Sequence, residues 1–254
     1  MKKTLLTIIC VLAVASASSA LAAGDAPKPP RQAWSFDGHF GTFDRGALQR
    51  GLKVYREVCA SCHSMKRIAF RNLEALGYDE GQVKAIAAEY TVVNEEPDEQ
   101  GDMFERPARP SDRFPSPFAN DNAAKFANNN AFPPDLSLIV KARPHGADYI
   151  YALLTGYEDP ADGHHLMEGQ HYNKYMPGHI IAMAPPLSDE QITYEDGTSQ
   201  TVEQYSKDVT EFLAWASEPE LEERKQTGIK VLIFLLIFTG VMYGIKKKTW
   251  AKLH

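Results

Sequence analysis

Apolar residues recur at helical spacing in several stretches of the chain. Leu48, Leu52, Tyr55 and Val58 follow Asp44, a good N-cap residue, and predict a helix that runs up to residue 59. Val83, Ile86, Ala87 and Tyr90 mark one side of a short helix between Tyr78 and Tyr90. Asp135 to Val140 starts a helix leading to Arg143, and Asp148 to Leu154 a second one ending at Gly156. Val202, Tyr205, Val209, Phe212, Leu213 and Ala216 form the longest amphipathic stripe, behind a Thr201-x-x-Gln204 capping box. This last helix is expected to pack against residues 45–58. The pattern predicts a mainly α domain. Residues 24–33, rich in Pro and Lys, read as an extended arm. Residues 94–134 read as a long irregular excursion, in which the acidic run Glu95, Glu96, Asp98, Glu99 and Asp102 is followed by six prolines from Pro107 to Pro134. A loop of that length in a compact domain is more often functional than accidental.

The two ends are patterned differently. Met1-Lys2-Lys3 is a positive n-region, Leu5 to Ala15 an apolar stretch, and Ala20-Leu21-Ala22 a small-residue cleavage site, so residues 1–23 read as a secretory signal. The alternative, an uncleaved N-terminal anchor, is disfavoured by the short apolar core. Val231 to Ile245 carries no charge, and residues 228–248 span about 30 Å as a helix if Lys230 and Lys246 snorkel. Lys246, Lys247, Lys248 and Lys252 follow the span, whereas Glu218, Glu220, Glu222 and Glu223 precede it. The positive-inside rule puts the tail, 249–254, in the cytoplasm and the domain of residues 24–227 across the membrane.

Composition adds a charge asymmetry. The 254 residues are 44% hydrophobic and 24% charged, which excludes disorder and collagen-like structure. Lys and Arg number 27, with Lys2 and Lys3 in the signal and Lys230, Lys246, Lys247, Lys248 and Lys252 at the far end. Residues 24–227 therefore keep 20 basic against all 33 acidic side chains, a net −13. Such a domain is no general nucleic-acid binder; it suits solubility or the steering of a basic partner.

Of three cysteines, Cys10 lies in the signal, leaving Cys59 and Cys62. A single exported C-x-x-C pair could be a disulfide or a redox dithiol, but here His63 follows it, and no βαβ pattern surrounds it. C-x-x-C-H is the attachment pattern of a c-type haem, in which both thiols add to the porphyrin vinyls and the imidazole ligates iron. On a helical turn, positions i, i+3 and i+4 share one face. One copy means one covalently attached haem. A sixth ligand would close the iron to everything but electron transfer. Met103, Met167, Met176, Met183 and the histidines remain candidates, since Met65 is too near His63 to reach the opposite face. Met183, between small residues and two stiffening prolines, is equally readable as a core methionine. His164, His165, His171 and His179 fall in a loop punctuated by Gly and Pro, better read as solvated than as a metal site.

A series of motifs carries a resemblance. Trp34-Ser-Phe, Phe40-Gly-Thr-Phe-Asp44, Leu48-Gln-Arg-Gly-Leu-Lys-Val-Tyr55, Val58-Cys-Ala-Ser-Cys-His-Ser-Met65, Met103-Phe-Glu-Arg-Pro107, Ser111-Asp-Arg-Phe-Pro115, Pro133-Pro-Asp-Leu-Ser137, Leu153-Leu-Thr-Gly-Tyr157, Ile181-Ala-Met-Ala-Pro-Pro186 and Trp215-Ala-Ser-Glu-Pro219 stand in one order over the mature chain. The chain resembles the cytochrome c1 family, the haem subunits of ubiquinol:cytochrome c oxidoreductase (cytochrome bc) complexes, in its bacterial form. The resemblance implies a class I-like cytochrome c domain with long irregular insertions, followed by one transmembrane helix. It implies that Cys59 and Cys62 hold the haem and that His63 and Met183 are its axial ligands. Arg143 and Tyr149 would lie near the propionates, and Asn128, Ala131, Pro133, Pro134 and Leu153 would line the pocket. It further implies cytochrome b and a Rieske iron-sulfur protein as partners in a dimeric complex, and a cytochrome c as acceptor. The setting would be the bacterial inner membrane, with the haem domain on the periplasmic side. Some bacterial members of the family carry an additional cysteine pair that is missing here, so the loop of residues 157–180 must be held by packing and hydrogen bonds. The resemblance carries no role over to His39. Two other functions compete: a tethered cytochrome serving another reductase or oxidase, and a haem sensor or peroxidase with open iron.

Overall fold

The computed structural model describes residues 26–94, 96–160 and 165–251. The segment read as a signal, Glu95, His164 and Lys252 lie outside that range. The first helix, α1 (Arg45–Glu57), starts where expected: the Asp44 carboxylate accepts from the amides of Gly46 and Ala47 at 2.9 and 3.2 Å, satisfying two of the donors that a helix start leaves open. Its inward face, Leu48, Leu52, Val54 and Tyr55, is almost completely buried, each large side chain contributing about 1.5–3 kcal/mol. A 3₁₀ turn at Phe70–Leu76 follows, then α2 (Glu80–Ala88), which buries Val83, Ile86 and Ala87 behind an Asp79 cap.

The excursion of residues 94–134 is more ordered than its sequence suggests. Strand β1 (Thr91–Val93) pairs antiparallel with β2 (Glu105–Pro107), Val92 opposite Arg106, and α3 (Asp121–Ala127) follows under an Asn120 cap. In contrast, residues 135–143 form successive turns and not the helix expected from Asp135. The Asp135 carboxylate, which would have capped such a helix, is engaged by Ser64 and the Lys66 amide, 71 and 69 residues away. Helix α4 (Gly146–Thr155) ends at Gly156 as its sequence indicates. A small antiparallel pair, β3 (His171–Tyr172) and β4 (Ile180–Ile181), leads to residue 183.

Helix α5 (Val202–Ser217) is the centre of the domain and packs on both α1 and α4. Only half of its capping box forms. Thr201 accepts from the Gln204 amide at 3.3 Å, but the Gln204 side chain turns to Asp208. The crossing with α1 sits on Gly51, where a Cβ would lie 2.1 Å from the Asp208 carbonyl oxygen and 2.6 Å from the Phe212 Cβ. Beside it, Arg50 forks onto the buried Asp208 carboxylate at 2.9 and 3.1 Å, a bidentate geometry that offsets the desolvation of the charge.

Helix α6 (Leu221–Trp250) carries the apolar segment, with a mean hydropathy of 2.1 and none of it buried, and is long enough to cross a membrane. Its first turns are fastened to the start of the domain. Lys225 Nζ donates to the carbonyls of Phe36 (2.6 Å) and Gly41 (2.9 Å), and Glu222 accepts from the Phe43 amide and pairs with Arg45.

Candidate haem site

The Cys59–Ser61 segment continues α1 as a tight turn. The amides of Cys62 and His63 both donate to the Cys59 carbonyl, at 3.1 and 2.8 Å, so both thiols and the imidazole leave one turn together. Burial pushes the Cys59 thiol up to about 12, with Cys62 adding to the effect. Tyr55, buried in the core, donates its hydroxyl to the His63 carbonyl at 3.2 Å.

The imidazole is oriented from the far side. His63 Nδ1 lies 2.8 Å from the Pro134 carbonyl oxygen, which makes Nδ1 the protonated nitrogen and leaves the Nε2 lone pair without a protein partner among the described residues. Burial drives the His63 pKa down against the opposing pull of that carbonyl and of Asp135. A neutral imidazole whose other nitrogen is tied to a backbone carbonyl is the form that ligates a metal. The donor set fits a c-type haem on this observation.

Pro134 is held in place by the residue after it. Asp135 accepts from Ser64 Oγ (2.8 Å), the Lys66 amide (2.9 Å) and the Ser137 amide (2.9 Å), while the Leu136 amide donates to the Ser64 carbonyl at 2.9 Å. Burial raises the Asp135 carboxyl, but these bonds together hold it below the usual carboxylate range.

The remaining predicted residues fall into two groups. Around Pro134, the α3 end is closed by Asn128, whose amide group donates to the Ala124 carbonyl at 2.7 Å, and Ala131 and Pro133 are half-buried beside the exposed Phe132. The other group surrounds α4: Tyr149 points its hydroxyl at Met176 Sδ, 3.6 Å away, and Arg143 is near enough for its charge to act on the Tyr149 phenol. Leu153 is half-buried, and its carbonyl takes a side-chain bond from Asn173 at 2.7 Å.

The methionines separate by environment. Met65 is fully buried in the core, Met103 and Met167 are exposed, and Met176 is against Tyr149. Met183 is half-buried between two exposed alanines, with its carbonyl accepting from the Tyr157 hydroxyl at 3.0 Å. His179 stacks on Tyr172 and His171 stands opposite Ile181. Among the described residues no group of three or more His, Cys, Asp or Glu side chains is arranged to hold a metal ion. A groove of about 590 Å³ along α1 is lined by Arg50, Arg56, Tyr90 and Tyr194, outside both the Cys59–His63 turn and the Met183 segment. Tyr157 and Asn173 are the contacts that sequence reasoning missed. Tyr157 stands in a recognised motif, but nothing in its spacing points to residue 183.

A model of the Cytochrome C1 family matches residues 34–253. The chain belongs to the cytochrome c1 family. It is 54% identical to the cytochrome b/c1 protein of Bradyrhizobium diazoefficiens over 89% of this chain; this chain spans only 36% of that longer protein. It is 46% identical to cytochrome c1 of Rhodospirillum rubrum, over 98% of this chain and 96% of that one. It is 52% identical to a mitochondrial cytochrome c1 haem protein of Arabidopsis thaliana, over 88% of this chain and 71% of that protein. Membership agrees with the mainly helical domain and the C-terminal apolar helix.

Proposed function

We propose that this chain is the electron-carrying haem subunit of a ubiquinol:cytochrome c oxidoreductase, taking electrons from a Rieske iron-sulfur protein and passing them to a cytochrome c. The observation that carries this is the His63 imidazole, fixed through Nδ1 on Pro134 and open at Nε2, on a Cys-Ala-Ser-Cys-His turn in a chain of this family. Cys59 and Cys62 would hold the haem as thioethers, and His63 Nε2 and the Met183 sulfur would be the protein ligands to its iron. When bound, the haem supplies one-electron chemistry at a potential raised by the Met/His pair. Asn128, Ala131, Pro133, Pro134 and Leu153 would line the haem pocket. Arg143 and Tyr149 would lie near its propionates. The chain alone transforms no substrate.

The same reading places the chain in the bacterial inner membrane. Residues 1–23 are removed on export, residues 228–248 cross once, and residues 24–227 stand on the periplasmic side. The Bradyrhizobium protein, whose name joins b to c1, supports cytochrome b as the neighbour; a dimeric complex is part of the same reading. The net −13 of the domain steers a basic cytochrome c.

A redox titration of the haem α-band in membranes carrying wild type and Met183→Leu, with quinol-driven cytochrome c reduction on the same membranes, tests the proposal. A large fall in potential with loss of turnover is expected. Unchanged potential and turnover would remove Met183 from the iron and the chain from this role.

A further inference from the structure

The Met183 segment has little of its own to hold it. It lies between exposed alanines, and the hydrogen bond that reaches residue 183 comes from the Tyr157 hydroxyl at 3.0 Å. Tyr157 immediately follows the C-terminus of α4, so its position depends on how that terminus is held.

Helix ends leave carbonyls without intrahelical partners. Here the β3–β4 hairpin supplies them. Asn173, completely buried, donates its side-chain amide to the Leu153 carbonyl at 2.7 Å, and the Lys174 amide donates to the Gly156 carbonyl at 2.9 Å. The contact is close. A Cβ at Gly156 would lie 2.6 Å from both the Ala152 carbonyl oxygen and a Tyr175 ring carbon, so only glycine lets the hairpin seat on the helix end.

The same asparagine organises the hairpin. Its Oδ1 accepts from the amides of Tyr175 and Met176, at 3.1 and 3.2 Å, and its own amide donates to the His179 carbonyl at 2.9 Å. Residues 157 and 173 also form an antiparallel bridge. Asn173 thus joins α4, the turn that carries Met176 and the strand leading to Met183, while Tyr157 closes the ring onto Met183 itself. No cysteine lies near this loop, so the brace is a polar one.

We propose that Tyr157 and Asn173 are positioning residues that set the reach of Met183 toward the haem iron, and through it the potential of the haem. The proposal rests on Met183 being the axial ligand and adds the residues that hold it there. Tyr157→Phe removes one hydroxyl and leaves the ring; Asn173→Ala removes the hub.

The test compares the full-length, membrane-inserted holoprotein carrying Tyr157→Phe, Asn173→Ala or Met183→Leu with wild type. The readouts are midpoint potential, carbon monoxide binding to the reduced haem, and amide exchange over residues 171–183. The expected order of potentials is wild type, Tyr157→Phe, Asn173→Ala, Met183→Leu, from highest to lowest, with carbon monoxide entering Asn173→Ala in part and Met183→Leu fully. Exchange at the amides of Tyr175 and Met176 should quicken in Asn173→Ala, by about three- to tenfold for a lost hydrogen bond. Wild-type potentials in Tyr157→Phe and Asn173→Ala beside a lowered one in Met183→Leu would overturn the brace and leave the ligand standing. An unchanged potential in Met183→Leu would overturn the ligand first. Should Asn173→Ala fail to fold, Tyr157→Phe decides, because it leaves every backbone bond of the hairpin in place.

Discussion

The two sides of the site are built in opposite ways. His63 emerges from the core: its ring is tied to Pro134, its carbonyl to the buried Tyr55, its neighbour Ser64 to Asp135, and Met65 two residues on is fully buried. Met183 is presented by a half-exposed segment hung on one tyrosine hydroxyl and a small hairpin. The core thus holds the His63 side directly, whereas the Met183 side depends on the hairpin and on one hydroxyl. If Met183 is the ligand proposed above, stability and haem potential are written into different residues.

Three substitutions probe that division, from the largest effect to the smallest. Gly51→Leu forces a side chain into the Asp208 backbone at the α1–α5 crossing. A loss of about 3 kcal/mol or more is expected, as in severe overpacking, read as a lowered urea midpoint of the holoprotein in detergent. An unchanged midpoint would mean that the crossing does not support the His63 side. Asp135→Asn weakens the bonds that seat Pro134, at a cost of about 1–2 kcal/mol. Its pH signature has a definite sign. The wild-type carboxyl is held low in the fold, so its contribution is present above the ordinary carboxylate range and lost as pH falls through its lowered value. The gap between wild type and Asp135→Asn should close on acidification below about pH 4; a gap that widens there would contradict the bracing role. Tyr149→Phe removes a hydroxyl that meets only the Met176 sulfur among the described residues. Its effect on unfolding should stay within about 0.5 kcal/mol, and a larger one would show that the Met183 side bears on overall stability after all.

What the sequence made legible follows the range of the interaction. The Asp44 cap, the α1 and α5 stripes and the Cys-x-x-Cys-His turn are each complete within a few residues, and each is observed. The helix expected at residues 135–143 fails because a carboxylate with good capping chemistry has a better use about 70 residues away. Strands of three residues, as in β1 and β2, are too short for an alternating pattern to register. Pro134 entered the sequence reading only through resemblance, since nothing local connects it to a histidine 71 residues earlier. Asn173 carries no periodic signal at all, being a buried polar residue in an irregular loop.

The clasp at Lys225 and Glu222 has a mechanical consequence. It grips residues 36–45, and the rod of α1 begins at residue 45 and ends at the cysteine turn, about 20 Å along its axis. The clasp thus ties the start of α6 to the helix that ends at that turn. If α6 spans the bilayer as proposed, the two are arms of one bracket, and a tilt of that helix is passed through the clasp toward the turn proposed to carry the haem.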